Sequence, residues 1–182
     1  MFRKQIQEDV YLALLEERHA DEVFAVVERE RAYLREWLPW VDPTRTVDDT
    51  RKFIKDSLQQ FAHNDGFAAG IWCAGEFAGT VGTHPIHWIY RKVEIGYWIA
   101  SKFQGRGIIT AACRAVIEHA FTAWKLNRVE IHCATGNLKS CAIAERLGFQ
   151  FEGILREDQP RDDHCLDIKL YSMLAREWNQ GR

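Results

Sequence analysis

The segment Phe103-Gln104-Gly105-Arg106-Gly107-Ile108-Ile109-Thr110 decides how this chain is interpreted. It connects a predicted strand over residues 92–100 with a predicted helix over residues 108–124. Two glycines in a tight turn allow backbone N–H groups to approach an anion, and the dipole of the following helix favours negative charge there. Arg106 adds a positive charge. The segment therefore predicts a cradle for a phosphate or pyrophosphate group.

The spacing of these glycines excludes two common phosphate-binding motifs. The chain contains no G-x-x-x-x-G-K-[ST] sequence, so it has no P-loop. The third glycine of a G-x-G-x-x-G fingerprint would fall on Thr110, and the turn does not follow the first strand of a βαβ unit. A dinucleotide-binding Rossmann domain is therefore not expected. On its own, the turn is equally compatible with an ordinary glycine-rich connection.

The hydrophobic pattern on both sides of the turn predicts a mixed α/β sheet. Thr46 and Asp49 form a capping box that opens a helix, and Gly75-Glu76 separates the two strands of a hairpin. The order β-α-α-β-β-β-α-β-α-β-β is not the strict alternation of a doubly wound fold. The predicted strands cover residues 10–15, 67–74, 77–87, 92–100, 128–134, 149–155 and 166–174, and the predicted helices cover 18–37, 46–63, 108–124 and 140–147.

Length and charge narrow the class of protein. The 182 residues suffice for one domain, 1–182, which buries about 70% of its unfolded surface and needs no metal or disulfide. With 24 Lys and Arg against 26 Asp and Glu, the net charge is −2, which argues against direct binding of nucleic acid. The chain shows neither a long uncharged apolar stretch nor an apolar leader, so we expect no membrane span and no secretory signal.

The cysteines and histidines point to a reduced, metal-free protein. The five cysteines are widely spaced without a C-x-x-C pair, which favours free thiols in the cytoplasm. The pairs His132-Cys133 and His164-Cys165 would point to opposite faces of a strand, so neither chelates one ion readily. Pro85 argues against a shared helical face for His84 and His87. No metal site is therefore expected.

Several motifs around the glycine turn occur together in the order of a known family. Glu94-Ile95-Gly96-Tyr97-Trp98-Ile99 precedes the turn, and Asn137-Leu138-Lys139-Ser140 and Glu145-Arg146-Leu147-Gly148-Phe149 follow it. Residues 34–38 and 171–178 extend the match over most of the chain. Together these segments resemble the GNAT N-acetyltransferase superfamily, in the RimJ/RimL-type branch of ribosomal-protein N-terminal acetyltransferases.

The resemblance implies a GNAT fold with a central, mostly antiparallel sheet and flanking helices. In this fold the fourth and fifth strands splay apart, and here these are the predicted strands 92–100 and 128–134. Gly96 is the position where a bulge would create the splay.

The resemblance also implies acetyl-CoA as the cosubstrate. Backbone groups of the splayed strand would pair with pantetheine, and the glycine turn would hold the pyrophosphate. Ile109 stands where the family has a small residue, so that position needs no positive φ. The implied cofactor contacts are Trp98, Ile99, Gln104, Gly105, Arg106, Gly107, Ile108, Ile109, Thr110 and Asn137.

Ser140 is the candidate donor to the leaving thiolate. Many relatives carry a tyrosine at the position of Ala144, so the usual acid is missing here. Ser140 resembles the serine that the RimL-type branch has in the same helix. A thiol with a pKa of about 8.5 needs only a hydrogen-bond donor as it leaves. The alternative is that Ser140 only caps the helix.

Glu94 is the candidate general base, because it is the strand carboxylate nearest to the expected site. Glu157 and Asp158 follow the last predicted helix, where related enzymes carry a glutamate. Each of the three is also compatible with an ordinary solvated surface charge. At pH 7 an α-amine is neutral in roughly 14% of molecules and a lysine amine in about 0.04%, so an N-terminal acceptor needs little help.

Trp37, Trp40 and Tyr97 are candidates for the wall of an acceptor groove, with Glu157 as a further substrate contact. Core packing is the alternative for the aromatic residues. Acidic residues that would attract a cationic amine are Asp42, Asp48, Asp49, Glu157, Asp158, Asp162, Asp163 and Asp167.

These observations predict an acetyl-CoA-dependent N-acetyltransferase that acts by direct transfer on a primary amine, most simply a protein N-terminal α-amine. A polyamine or aminoglycoside acceptor remains an alternative, as does a non-catalytic acyl-CoA-binding module, which the missing tyrosine at Ala144 would suit. A homodimer is compatible with the sequence, which leaves the acyl-chain length open.

Overall fold

A computed structural model describes residues 3–161 and 164–180 of the chain. This part of the chain contains eight strands and five α-helices. The strands are β1 (Arg3–Gln7), β2 (Val10–Leu14), β3 (Ala68–Cys73), β4 (Glu76–Thr83), β5 (Lys92–Ile99), β6 (Arg128–Ala134), β7 (Gln150–Pro160) and β8 (Cys165–Leu174). The helices are α1 (Ala20–Leu34), α2 (Val47–Ala62), α3 (Ile108–Thr122), α4 (Leu138–Arg146) and α5 (Ala175–Gln180).

The strands form one sheet in the order β1-β2-β3-β4-β5-β6-β8-β7. All neighbours are antiparallel except β5 and β6. This parallel pair is joined only from Lys92↔Arg128 to Glu94↔Glu130, whereas β5 stays paired with β4 as far as Ile99. The two strands therefore separate after Glu94, which confirms the predicted mixed GNAT sheet and its splay.

The helices cover the sheet and enclose its core. Helix α1 packs on β4, α2 on α1 and β3, α3 on β1, β4 and β5, and α4 on β6 and α3. Side chains from the central strands are almost completely buried between these layers, among them Ile71, Phe77, Ile95 and Ile131. None of the helices in the described ranges is long and apolar enough to cross a membrane.

The sequence analysis missed the elements at the two ends of the chain. Strand β1 is an edge strand of mostly exposed polar residues, so it lacks the apolar alternation that marks a strand. Helix α5 has only six residues, too few to show a helical period. The strand predicted over 77–87 ends at Thr83, because Pro85 cannot donate to a sheet.

Gly96 does not form the predicted bulge. It pairs with Gly82 in the regular register between β4 and β5. The nearby register shift lies one strand away, where Ile71 faces Gly79 while Trp72 faces Phe77. The splay therefore comes from the short pairing of β5 with β6 and not from a bulge at Gly96.

A ladder of ion pairs joins β5, β6 and β7 on the site face of the sheet. The Arg128 guanidinium contacts Glu130 at 2.6 Å and Glu152 at 2.7 Å, and Lys92 Nζ lies 3.2 Å from Glu130. Hydrogen bonds from His132, Arg128 and Lys92 hold the pKa of the nearly buried Glu130 at about 2. The carboxylates of Glu130 and Glu152 therefore stay ionised at pH values well below the ordinary pKa of a glutamate.

We expect Arg128→Ala to lower the free energy of unfolding by about 3 kcal/mol at pH 7, because Glu130 would stay buried with fewer partners. A depressed native pKa adds stability above the unfolded pKa and loses it as the pH falls toward 2. The difference from wild type should therefore shrink from about pH 5 downward in urea titrations. Arg51→Ala, which breaks a surface ion pair with Asp48, should change stability by less than about 1 kcal/mol. Equal losses in the two variants would contradict this account.

Candidate active site

Two cavities meet where β5 and β6 separate. The first cavity, of about 940 Å³, lies against the glycine turn, the start of α3 and the start of α4. The second cavity, of about 670 Å³, lies between the α1–α2 connection and the ends of β5, β6 and β7. The residues that line both are Trp37, Leu38, Tyr97, Trp98, Asn137 and Ser140.

The glycine turn forms one wall of the first cavity. Gly105 and Gly107 have φ angles of +74° and +70°, and Gly107 is the residue before the first turn of α3. No side chain caps this helix, so its first N–H groups are free to bind an anion. All predicted turn residues from Gln104 to Thr110 line the cavity.

Three polar contacts, from β1 and α4, hold the turn in place. Lys139 Nζ donates to Gln104 Oε1 at 2.8 Å, and the Gln7 side chain donates to the Arg106 carbonyl at 3.5 Å. Arg146 donates to Thr110 Oγ1 at 3.3 Å. Strand β1, which the sequence analysis missed, thus supports the turn through Gln7.

The charge of the first cavity suits a phosphorylated ligand. Five basic residues line it: Lys4, Arg106, Arg114, Lys139 and Arg146. Among the described residues, Glu118 is the one acid that lines it, and it forms an ion pair with Lys4 at 3.0 Å. The excess of cations beside an uncapped helix terminus favours a ligand with several phosphates.

Trp98 and Ile99 lie in the last part of β5, which is not paired with β6. Both line the first cavity, and Trp98 also packs edge-on against Phe77. Because β6 leaves after Glu94, the backbone groups on that side of β5 are available to an extended ligand. This is the arrangement that the resemblance implies for pantetheine binding.

We expect Gly105→Ala to raise the Kd for CoA about tenfold, because it strains the turn that presents the N–H groups. Gly75→Ala is a matched control: Gly75 also has positive φ, at +83°, and a side chain would meet open space at both positions. Both variants should lose about 1 kcal/mol of stability. Calorimetry should find weaker CoA binding only for Gly105→Ala, and equal binding would contradict the turn's role.

Ser140 lies at the junction of the two cavities, in the first turn of α4. Its hydroxyl lies 3.0 Å from the Tyr97 hydroxyl and donates to Cys133 Sγ at 3.3 Å. Burial raises the pKa of Tyr97 well above 10 and that of Cys133 to about 12. Both groups therefore stay neutral near pH 7, and Tyr97 remains a hydrogen-bond donor.

Ser140 is not the helix cap. Helix α4 begins at Leu138, and the Asn137 side chain caps it by accepting from the Ser140 backbone N–H at 3.1 Å. The alternative that Ser140 serves only as a cap is therefore wrong. Asn137 lines both cavities and fixes the orientation of Ser140 as well.

Glu94 lies in the second cavity beside a histidine that the sequence analysis considered only as a metal ligand. Glu94 Oε2 is 3.4 Å from His132 Nδ1, and Glu94 Oε1 is 3.6 Å from His84 Nε2. On the other side of the imidazole, His132 Nε2 is 3.5 Å from Glu130 Oε2. Burial lowers the pKa of His132, but Glu130, Glu94 and Asp158 together raise it above its ordinary value.

Asp158, and not Glu157, faces the second cavity. Glu157 has a positive φ of +53°, is exposed, and its backbone N–H donates to Asp167 Oδ1. It lines neither of the two cavities, whereas Asp158 lines the second. Neighbouring residues diverge in direction here, so Glu157 is not placed for the predicted substrate contact, whereas Asp158 faces the cavity.

Aromatic residues form the wall of the second cavity opposite Glu94. Trp37 and Trp40 line it, and Trp40 packs on Trp98 with ring centroids 6.1 Å apart. Trp40 is 37% exposed to solvent, so it is not a core residue. Phe53 on α2 belongs to the same wall and was missed, since its sequence pattern is that of an ordinary amphipathic helix.

The acidic residues near α2 serve local structure. Asp42 pairs with Arg35, Asp48 with Arg51, and Asp49 completes the capping box with Thr46. None of the three lines the second cavity. Asp162 and Asp163 lie outside the described residues, so Glu94 and Asp158 are the acids that the described residues bring to this cavity.

The remaining side chains define the chemistry of the site. Among the described residues, no group of three or more His, Cys, Asp or Glu side chains could hold a metal ion. A basic cavity beside a free strand edge meets an acidic cavity at a pair of neutral hydroxyls. Such a site suits the transfer of an acyl group from a phosphorylated thioester to a cationic acceptor.

The family follows from comparison with known proteins. Residues 9–150 match the model of the "Acetyltransferase (GNAT) domain", so the chain belongs to the GNAT acetyltransferase family. It is an N-acetyltransferase that uses acetyl-CoA. The basic lining and the uncapped start of α3 fit that cosubstrate.

Relatives match nearly the whole chain. The "Putative ribosomal N-acetyltransferase YdaF" of Bacillus subtilis is 38% identical over 179 residues, which are 98% of each chain. The "Ribosomal-protein-serine acetyltransferase" of Escherichia coli is 28% identical over 93% of this chain and 95% of its own. The solved structure of a microcin self-immunity acetyltransferase, MccE, with acetyl-CoA and AMP has a TM-score of 0.89 at 25% identity, covering 93% and 94% of the two chains.

Proposed function

We propose that this enzyme acetylates the α-amine at the N terminus of a protein, with a ribosomal protein as the expected acceptor. The observation that carries the proposal is the second cavity, which opens onto Ser140 and combines an aromatic wall with the carboxylates of Glu94 and Asp158. Carboxylates attract the ammonium form of the acceptor, and aromatic faces pack against the residues that follow it. The ribosomal-protein acetyltransferases among the relatives support the same acceptor class.

The proton balance favours an α-amine over a lysine side chain. Near pH 7 roughly 14% of α-amines are already neutral, against about 0.04% of lysine amines. Glu94 then serves as the base, because an α-ammonium group is more acidic than a lysine ammonium group and gives up its proton more readily. A lysine acceptor would demand a much stronger base than a single half-exposed carboxylate.

Transfer is direct in this proposal. Acetyl-CoA supplies the activated acyl group when bound. Cys133 is unsuited to carry an acyl-enzyme, because burial raises its pKa to about 12 and leaves little thiolate. Glu94 takes the ammonium proton, the free edge of β5 polarises the acyl carbonyl, and Ser140 donates a hydrogen bond to the leaving sulfur.

A panel of acceptors tests the substrate class by the release of free CoA thiol. The panel contains peptides with a free N terminus, the same peptides with a blocked N terminus and an internal lysine, spermidine and an aminoglycoside. We expect turnover chiefly with the free N termini. Faster turnover of spermidine or the aminoglycoside would establish the small-molecule alternative, and CoA binding without turnover of any amine would favour a binding module.

A further inference from the structure

His132 stands between two carboxylates at the point where β5 and β6 separate. Its Nδ1 faces Glu94 at 3.4 Å and its Nε2 faces Glu130 at 3.5 Å. Glu94 and His132 line the second cavity, whereas Glu130 is nearly buried in the ion-pair ladder. The imidazole therefore connects the carboxylate nearest to the acceptor with one that the acceptor does not reach.

We propose that His132 takes over the proton that Glu94 removes from the acceptor, and so positions and regenerates the base. This proposal rests on the role of Glu94 in the proposed function. The ammonium N–H bond breaks as an O–H bond forms on Glu94. That O–H bond then breaks as an N–H bond forms at His132 Nδ1. The amine keeps its electron pair for attack, and the positive charge comes to rest beside Glu130.

The buried carboxylate is suited to hold this charge without taking the proton. Hydrogen bonds from His132, Arg128 and Lys92 keep the pKa of Glu130 at about 2, so it stays ionised throughout the working range of pH. A neutral His132 would direct its Nε2–H to Glu130, which leaves the Nδ1 lone pair for Glu94. The relay requires this tautomer of His132.

The charges around His132 come from four strands. Carboxylates face it from β5, β6 and β7, at Glu94, Glu130 and Asp158. Cations on these strands are Lys92 and Arg128, which are paired with Glu130, and Lys169 on β8, which lies opposite Cys133 in the register of β6 and β8. Negative charge therefore dominates on the site side and stabilises the imidazolium.

His84 is a weaker candidate for the same task. It approaches the other oxygen of Glu94 at 3.6 Å, but 60% of its side chain is exposed and it follows the end of β4. Water screens its interaction with Glu94, and among the described residues Glu94 is the carboxylate within ion-pair distance of it. His132 has both the burial and the second partner that His84 lacks.

The proposal predicts a dependence on pH that belongs to His132. The relay works while His132 is neutral, and its pKa is raised, so kcat should fall as the pH drops through a value above 6.5. An acceptor's own ionisation would also lower the rate, but that effect moves with the acceptor. Measuring kcat with two peptides of different α-amine pKa separates the two effects.

The first experiment compares these profiles for wild type, His132→Gln and His63→Gln, which alters an exposed histidine at the end of α2. We expect His132→Gln to lower kcat about tenfold, less than the ~100-fold typical of a direct proton-transfer group. The fall in kcat at low pH that is the same for both peptides should move to lower pH in His132→Gln. It should stay in place in His63→Gln. An unchanged position of this fall in His132→Gln would overturn the inference.

A second experiment does not depend on turnover or on the folding of a variant at His132. NMR titration of the histidine ring carbons should place the pKa of His132 above 6.5 in wild type and lower it in Glu94→Gln. A His132 pKa that is the same in wild type and in Glu94→Gln would overturn the inference, because the two groups would then not be coupled. If Glu94→Gln is inactive while His132→Gln keeps the wild-type profile, the relay is wrong and the proposed function stands. If Glu94→Gln keeps full activity, the role of Glu94 itself is wrong.

Discussion

Ser140→Ala is expected to lower kcat about 100-fold at saturating acetyl-CoA while leaving the fold intact. The variant loses the hydroxyl that α4 presents at the junction of the two cavities, and Ala144 on the same helix has no hydroxyl to replace it. The cap of α4 survives, since Asn137 accepts from the Ser140 backbone and not from its side chain.

The stability of Ser140→Ala should change by less than about 1 kcal/mol. Tyr97 keeps an acceptor, because its hydroxyl also donates to the Ser140 carbonyl at 3.3 Å. Ser57→Ala provides the opposite control: Ser57 is buried on α2 and accepts from the Ala68 backbone, and its own side chain lines neither cavity. It should lower the free energy of unfolding and leave kcat unchanged. A loss of stability without loss of kcat in Ser140→Ala would contradict the donor role.

Glu94→Gln is expected to lower kcat/KM about 100-fold for a peptide α-amine at pH 7 and by less at higher pH. Glutamine keeps the shape of the side chain but cannot take a proton. Above the α-amine pKa of about 7.8 most of the acceptor is already neutral, so the reaction depends less on removal of a proton by Glu94. The ratio of wild-type to variant rate should therefore decline steadily from pH 6 to pH 9, in a stopped assay of thiol release.

Glu8→Gln is the control for this measurement. Glu8 is an exposed residue in the turn between β1 and β2, and it lines neither cavity. This variant should match wild type at every pH. A Glu94→Gln profile parallel to that of wild type would show that Glu94 is not the base, and Asp158 would then be the carboxylate to test.

The turn that lines the first cavity could be predicted from sequence because it depends on local features. The glycines at 105 and 107 need positive φ, and the helix that follows shows its own apolar period, so turn and helix are both visible in the sequence. The resemblance of the surrounding motifs then supplied the splay of the two strands. Neither step required knowledge of contacts between distant residues.

The acid side of the site could not be predicted in the same way, because it depends on strand register. Glu94 meets His132 only because Glu94 pairs with Glu130 in the parallel register of β5 and β6. A shift of one residue would turn these side chains to the opposite face. The spacing of Glu130 and His132 does place both on one face of β6, and that was the signal available.

The direction of the Asp158 side chain could not be predicted from the sequence either. Asp158 follows Glu157, and the register of β7 against β8 shifts between Leu155 and Gln159. The direction of each side chain in that irregular stretch cannot be read from alternation alone. The sequence therefore located the acidic segment but not the residue in it that faces the cavity.

The most direct test of the proposed function is to locate the acetyl group by mass spectrometry. Ribosomal proteins with free N termini are incubated with the enzyme and isotopically labelled acetyl-CoA, with Ser140→Ala as the matched control. The account predicts label on the α-amine of one or a few N termini, strongly reduced with the variant. Label confined to lysine side chains, or equal labelling by the variant, would contradict it.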